Sequence, residues 1–269
     1  MSRLFALAVC LLLAWVAPAA AQERIKAYHA DITVLADGSM EVTENITVRA
    51  EGNRIRRGIT RDFPTRYRDR LGNRVVVDFE VLGLERDGRP EPFFTESLSN
   101  GTRVNTGGDD FLPVPADIEY RLRYRTTRQL GFFDEHDELY WNVTGLGWDF
   151  SIEQASATVT LPGAVPAADM RLEAYTGSSG EQGQHYTASA SGPGVAEFAT
   201  TRPLGSYEGL TLVVGFPKGL IEEPSAFQRL AWMLRDNGGV LIALAGLALL
   251  LAWYVRSWHR VGRDLPPGS

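Results

Sequence analysis

The chain has 269 residues, 44% of them hydrophobic, enough for one large domain or two small ones with a core of useful size. A formal charge of −6, from 27 basic and 33 acidic residues, argues against a nucleic-acid partner, which selects for basic surfaces. The one cysteine, Cys10, falls in the first apolar segment, so the rest of the chain has no thiol for disulfides, thiol catalysis or thiolate metal sites.

Residues 1–21 carry Arg3, then the apolar run LFALAVCLLLAWVA, then APAAAQ, whose Ala19 and Ala21 fit the small-residue pattern of a signal peptidase site. This predicts cleavage after Ala21 and export of the chain from Gln22 onward. Val9 before Cys10, and the early position of that cysteine, argue against a lipidation signal.

From Arg24 the pattern is strand-like. Ile32 and Val34 precede the Asp37-Gly38 turn, and Met40, Val42, Ile46 and Val48 come after it with period two, which predicts a hairpin with one buried face. An arginine-dense connection comes next, with Arg54, Arg56, Arg57, Arg61, Arg66, Arg68 and Arg70, broken by Gly58 and Pro64. Strand signals resume with VVVDFEVLGLERDG. In ADIEYRLRYRTTRQL, Ile118, Tyr120, Leu122 and Tyr124 lie on one face, with Glu119, Arg121, Arg123 and Arg125 on the other. Further short strands (SATVTLP, MRLEAYTG, HYTASASG, VAEFATTRP and GLTLVVGFP) alternate with turn-rich connections. With almost no helical period before residue 224, the class is mainly β: an antiparallel β-sandwich over residues 22–223. A seam near residues 110–115 is weakly marked.

The period then changes. SAFQRLAWMLRDNGG has an N-cap serine, Phe227, Leu230, Ala231 and Leu234 at helical spacing, and a closing Gly238, which predicts an amphipathic juxtamembrane helix over residues 224–237 at the membrane surface. Residues 238–255 contain no charge and span about 27 Å as a helix, the length of a transmembrane segment. Trp253, Tyr254 and Trp258 suit an interfacial aromatic belt. Arg256, His259, Arg260 and Arg263 mark residues 256–269 as cytoplasmic and the inner membrane as the location.

In this order the segments LADGSMEVTENITV, RRGITRDFP, LYWNVTGLGWDFSIEQASATVTLP, VVGFPKGL and WHRVGRD together resemble the bacterial domain-of-unknown-function family numbered 2207, described as predicted membrane proteins. The likeness covers most of the chain after residue 21. It implies a longer protein with more membrane helices, of which this chain is a fragment. Leu265 departs from the proline that the family looks to place after the aspartate. The resemblance brings no reaction, cofactor or catalytic residue.

Two features are candidate sites. Trp141 and Trp148 fit either core anchors, each with one N–H that needs a partner, or a ligand platform; core packing is the commoner use. Tyr140, next to Trp141, points to the opposite face if this segment is a strand. The arginine connection suits anionic headgroups or an acidic polymer, with Arg57 and Arg61 the first candidates and Asp62 beside them, or else it stitches a loop to a sheet. The acidic run Asp134, Glu135, His136, Asp137 and Glu138 lacks the spacing of a calcium loop and reads as a solvated loop. His29, His136 and His185 form no HExxH. No cofactor or metal is expected.

The functional expectation is a non-enzymatic exported module, anchored in the bilayer, for binding or assembly with other envelope proteins or an anionic ligand. The alternatives are a ligand sensor that signals through the span, and an envelope polysaccharide hydrolase that uses Asp134, Glu135, Asp137 or Glu138.

Overall fold

A computed structural model describes residues 22–69 and 71–262. The expected signal segment, Cys10 and Arg263 lie outside the described residues. The chain is mostly strand, in antiparallel-rich sheets, with two helices at its C-terminal end. In chain order the strands are β1 (Arg24–Val34), β2 (Met40–Ala50), β3 (Thr60–Pro64), β4 (Arg66–Arg68), β5 (Arg74–Val76) and β6 (Phe79–Arg86). Then come β7 (Arg89–Pro90), β8 (Phe93–Ser97), β9 (Gly101–Thr106), β10 (Ala116–Thr126), β11 (Leu130–Phe132) and β12 (His136–Asn142). The last are β13 (Ala155–Thr160), β14 (Arg171–Gly177), β15 (Tyr186–Gly192), β16 (Val195–Thr200) and β17 (Gly209–Pro217).

An eight-stranded sheet has the order β15-β16-β13-β1-β2-β10-β6-β7, and a four-stranded sheet the order β11-β12-β17-β14. Strands β3, β9 and β8 form a third sheet, and β4 pairs with β5. The β1–β2 hairpin forms where the alternation placed it, with Ile32 opposite Val42 and Gly38 at a φ of 77° in its turn. In β10 the alternation is complete: Ile118, Tyr120, Leu122 and Tyr124 are buried, and Glu119, Arg121 and Arg123 face solvent. β1 also pairs in parallel with β13, a partner that period-two patterning cannot reveal because either direction presents the same face. Both larger sheets feed one core cluster, which includes Tyr28, Ile46 and Tyr124 with Leu139, Leu212 and Phe216, and Leu112 belongs to it as well.

The arginine-dense connection contains two strands, β3 and β4. Ile59, Arg61 and Phe63 all point inward, so β3 has period two with an arginine at an inward position, which hid the alternation. Arg61 Nε and Nη2 donate to the two oxygens of Glu44, each at 3.0 Å, and Nη2 also donates to the Val143 carbonyl. The Tyr124 hydroxyl donates to the same carboxylate at 2.9 Å. Glu44 is 0% exposed and Arg61 5%. Burial pushes the Tyr28 and Tyr124 phenols well above their usual range, so both stay protonated donors.

A second buried carboxylate organises the loop after β2. Glu23 accepts the backbone N–H groups of Glu51, Asn53, Arg54 and Ile55 at 2.7–3.3 Å. Burial acts to raise its pKa, but the four donors outweigh it and hold the carboxyl below the ordinary value of 4.5.

After residue 224 the chain turns helical. α1 (Ala226–Asp236) starts at a capping box, in which the Ser225 hydroxyl accepts the Gln228 N–H and the Gln228 side chain accepts the Ser225 N–H. Within α2 (Gly238–Val261), the apolar 18-residue window has a mean hydropathy of 2.2 and none of it is buried, which makes the helix a candidate membrane span. At ~1.5 Å per residue it is about 36 Å long, longer than the expected 18-residue core because the helix runs on through Arg256, His259 and Arg260.

Glu44→Ala leaves the Arg61 guanidinium buried without its anion and is expected to cost about 3–5 kcal/mol in urea unfolding of the full chain in detergent. The joint change Glu44→Leu with Arg61→Met is expected to recover most of that loss, because two apolar groups strand no charge. For Glu23 the lowered pKa means stability that is present above the unfolded value and lost as pH falls through the folded one. Melting temperatures of Glu23→Gln are therefore expected to fall less steeply than those of the unsubstituted chain as pH drops below 4.5.

Candidate functional site

The five residues singled out from the sequence do not converge on one exposed surface. Arg57 is exposed and stacks over the Phe111 ring at 4.8 Å, a partner it shares with Arg56 at 5.2 Å. Arg61 lies in the core, committed to Glu44 and to two carbonyls. Asp62, on the opposite face of β3, forms a two-pronged ion pair with Arg103 at 2.6 and 2.8 Å.

Trp141 and Trp148 are buried, at 9% and 6% exposure. The Trp148 N–H donates to the Thr144 carbonyl at 2.7 Å, and its ring meets Tyr28 edge-on. The Trp141 N–H has no partner among the described residues. Tyr140, its neighbour in β12, is 58% exposed, as strand alternation requires. It lines an open concavity of about 340 Å³ with Asn142, Tyr175 and the turn at residues 178–182.

The solvated-loop reading of the acidic run holds for Asp134 and Glu135, which are exposed, but not beyond them. His136, Asp137 and Glu138 belong to β12, and Asp137 is 1% exposed, paired with Lys218 at 2.9 Å. A distant lysine makes that inward carboxylate tolerable, and no local spacing announces it.

The concavity with the most developed chemistry lies between the β-domain and α1. It has a volume of about 420 Å³, within the ~300–1,000 Å³ range of small-molecule sites. Leu130, Phe132, Pro224 and Trp232 supply apolar wall, and Arg125, Arg128, Arg229, Asp37, Asp78 and Glu222 supply both signs of charge. Arg125 is braced by Asp37 at 3.1 Å and by the Ser39 hydroxyl at 2.9 Å. Two hydrogen bonds from Ser39 dominate in holding the Asp37 carboxyl below its usual range, with Arg125 adding to them.

Arg128 is the central residue of this junction. Its Nη1 donates to the Val76 carbonyl at 2.6 Å and to Asp236 at 2.7 Å, and its guanidinium lies 4.6 Å from the centre of the Trp232 ring. Asp236 in turn accepts the Val76 N–H at 3.1 Å, closing a ring of three residues. Burial would raise the pKa of Asp236, but Arg128 and the Val76 N–H prevail and lower it. Arg128 has a φ of 59°, a left-handed conformation that costs a non-glycine residue about 1 kcal/mol or more and persists only where its surroundings hold it.

The next residue completes a clamp. Asn237 Oδ1 accepts the Arg74 N–H and Nδ2 donates to the Arg74 carbonyl, both at 3.0 Å. The hairpin of β4 and β5 is thus fixed to the point where α1 ends and α2 begins. Sequence reading missed Arg125, Arg128, Trp232 and Asp236 because they meet only through the fold. The one available signal was Trp232, an aromatic outside the stripe of Phe227, Leu230 and Leu234. Among the described residues no group of three or more His, Cys, Asp or Glu side chains is placed to hold a metal.

Known proteins resemble the chain at several levels. An M1 zinc metallopeptidase from Deinococcus radiodurans aligns over 72% of this chain and 42% of its own, with 16% identity and a TM-score of 0.42. Yeast LTA4 hydrolase aligns over 72% of this chain and 29% of its own, with 10% identity and a TM-score of 0.46. In sequence, the uncharacterized protein YciQ of Escherichia coli (strain K12) is 26% identical over 161 residues, 60% of this chain. The chain spans 25% of that protein's length. The model of the family described as "Predicted membrane protein (DUF2207) N-terminal domain" matches residues 24–216. With most of its length so matched, followed by one candidate membrane span, the chain belongs to the DUF2207 family of predicted membrane proteins.

Proposed function

We propose that the chain is the membrane-anchored, extracytoplasmic part of an envelope protein, and that its β-domain binds a ligand or partner rather than catalysing a reaction. Residues 22–223 form the exported domain, residues 224–237 a helix at the membrane surface, and residues 238–255 the apolar core of the span. The inner membrane, with residues 256–269 in the cytoplasm, is the placement that Arg256, His259 and Arg260 favour at the C-terminal end of α2. The observation that carries the reading is the junction concavity, whose walls come from both the β-domain and α1 and which the clamp ties to the start of the span. Its apolar wall with charges of both signs suits a short peptide or another zwitterion with an apolar body.

The same geometry favours sensing as the second reading. Arg128 both lines the concavity and pairs with Asp236, so a ligand carboxylate competes for the cation that holds the clamp. For the hydrolase alternative, Asp137 is buried and paired with Lys218, a lysine it shares with Glu223.

Thermal-shift measurements on the full chain in detergent, against short peptides, free amino acids and envelope sugars, test the binding reading. A peptide is expected to raise the melting temperature, with the shift lost in Trp232→Ala and Arg125→Ala and kept in Tyr140→Ala. Hydrolysis of any of these compounds, abolished by a point change in the acidic run, would sink the reading. Hydrogen exchange at the Val76 amide separates sensing from plain binding: a sensor ligand is expected to speed exchange there, because the carboxylate that accepts that N–H is the one Arg128 pairs with.

A further inference from the structure

Of the arginines in residues 54–69, most are committed within the fold. Arg54 pairs with Asp149, Arg56 and Arg57 lie over Phe111, Arg61 pairs with Glu44, and Arg66 donates to the carbonyls of Leu98 and Ser99. Arg68 is different. It is exposed, its side chain makes one hydrogen bond among the described residues, to the Gly72 carbonyl across its own turn, and it forms no ion pair there. Arg74, also exposed, stands across the β4–β5 hairpin from it, directly opposite in the strand register, and forms none either.

The clamp decides where these two cations stand. Arg74 is hydrogen-bonded through its backbone to Asn237, the residue that precedes α2, so the hairpin sits at the depth where the candidate span begins. Both arginines line a cleft of about 450 Å³ whose other wall includes Met233, Val240 and Leu241, from the end of α1 and the first turn of α2. One carboxylate lines it too, Asp236, which is buried and paired with Arg128 and Arg235. The neighbouring Asp69 accepts from the Leu71 and Asn73 N–H groups and from the Asn73 side chain, inside its turn.

The elements that flank the cleft also expose apolar surface. Leu71, at the hairpin tip, is 87% exposed, and Phe227 on α1 is 79% exposed. Leu230 and Leu234 share the Phe227 stripe and are likewise uncovered by the β-domain. Large apolar groups exposed on a hairpin tip and a helix face next to a candidate span suit cover by lipid.

We propose that the β4–β5 hairpin and the first turn of α2 form a headgroup site for an anionic phospholipid. The phosphate accepts from the Arg68 and Arg74 guanidinium groups, and the glycerol and upper acyl chain lie along Met233, Val240 and Leu241. Leu71 and the Phe227 stripe enter the interface beside it. The site requires α2 to span the membrane and does not require a ligand in the junction concavity.

Lipid retention by the full chain, released from micelles containing equal phosphatidylglycerol and phosphatidylcholine and weighed by native mass spectrometry, tests it. An enrichment of phosphatidylglycerol of about tenfold is expected, since near-surface arginines attract anionic lipid. Arg68→Gln with Arg74→Gln is expected to bring retention close to even, and Arg57→Gln to leave the enrichment intact. Circular dichroism checks that the double variant is folded; Arg68→Lys with Arg74→Lys keeps the charge and is expected to retain part of the preference. Even retention in the unsubstituted chain, or undiminished enrichment in the double glutamine variant, overturns the proposal. Full displacement of the lipid by soluble glycerol phosphate overturns it as well, by making the site one for free phosphate. A separate arm addresses the span: a nitroxide at Leu250→Cys, in a Cys10→Ser background, is expected to be shielded from aqueous quenchers in vesicles. An exposed label there would overturn the anchoring and the lipid site together, whereas a shielded label with even retention overturns the lipid site alone.

Discussion

The ion pair of Glu44 and Arg61 is the constraint on which the rest of the domain depends. Neither charge reaches solvent, and an unpaired ion at that depth costs several kcal/mol, so β2 and β3 can be buried only in the register that brings the two together. The remaining polar capacity is used locally, by the Tyr124 hydroxyl on one oxygen of Glu44 and by the Asp62 and Val143 carbonyls on the guanidinium. Val143 directly follows β12, so the same arginine ties the third sheet to both larger ones. Once β3 is fixed, Thr65 and Arg66 donate to the Asn100 carbonyl and Val77 donates to Thr65, which aims the β4–β5 hairpin toward the helices. A buried charge near the middle of the domain thereby governs where the cations beside the start of α2 stand.

At that end the polar groups are arranged around two opposing helix dipoles. Asp236 closes α1, where a negative charge is unfavourable, and lies two residues before the first residue of α2, where it is favourable. The two effects oppose each other, so the neighbouring cation sets the balance, and Arg128 is held in a left-handed backbone conformation to supply it. The Met233 carbonyl, left open where α1 ends, accepts from both the backbone and the side chain of Asn237. Polar bonding rather than apolar packing therefore joins the β-domain to α2, leaving the apolar stripe of α1 free to face outward.

The sequence was legible wherever side-chain polarity reports direction. β10 could be read residue by residue because its inward positions are all apolar and its outward ones charged, and the β1–β2 hairpin and the apolar span were equally plain. It misled where an inward position is ionic. Arg61 turned a strand into an apparent basic loop, and Asp137 did the same for the acidic run, since the compensating partners Glu44 and Lys218 are remote in sequence and can be paired with them only by folding. The tryptophans were the intermediate case. Their packing role was readable, and Trp148 finds its acceptor four residues away in Thr144, whereas no acceptor for Trp141 lies among the described residues. The junction was not legible at all, because Val76, Arg128 and Asp236 come from three widely separated segments.

Those three residues also connect the two sites proposed at the membrane end. The proposed peptide site draws on Arg128, which donates to the Val76 carbonyl; the proposed lipid site draws on Arg74, two residues before Val76 in the same short strand. Anionic lipid that steadies β5 stabilises the arrangement in which Arg128 is engaged with Asp236. A ligand that takes Arg128 away favours the opposite arrangement. Coupling between two sites is reciprocal, so the two occupants must then oppose each other by the same factor in both directions. Two ligands that meet at one three-residue strand need no longer pathway than that, and the sign of the coupling is set by which partner Arg128 keeps.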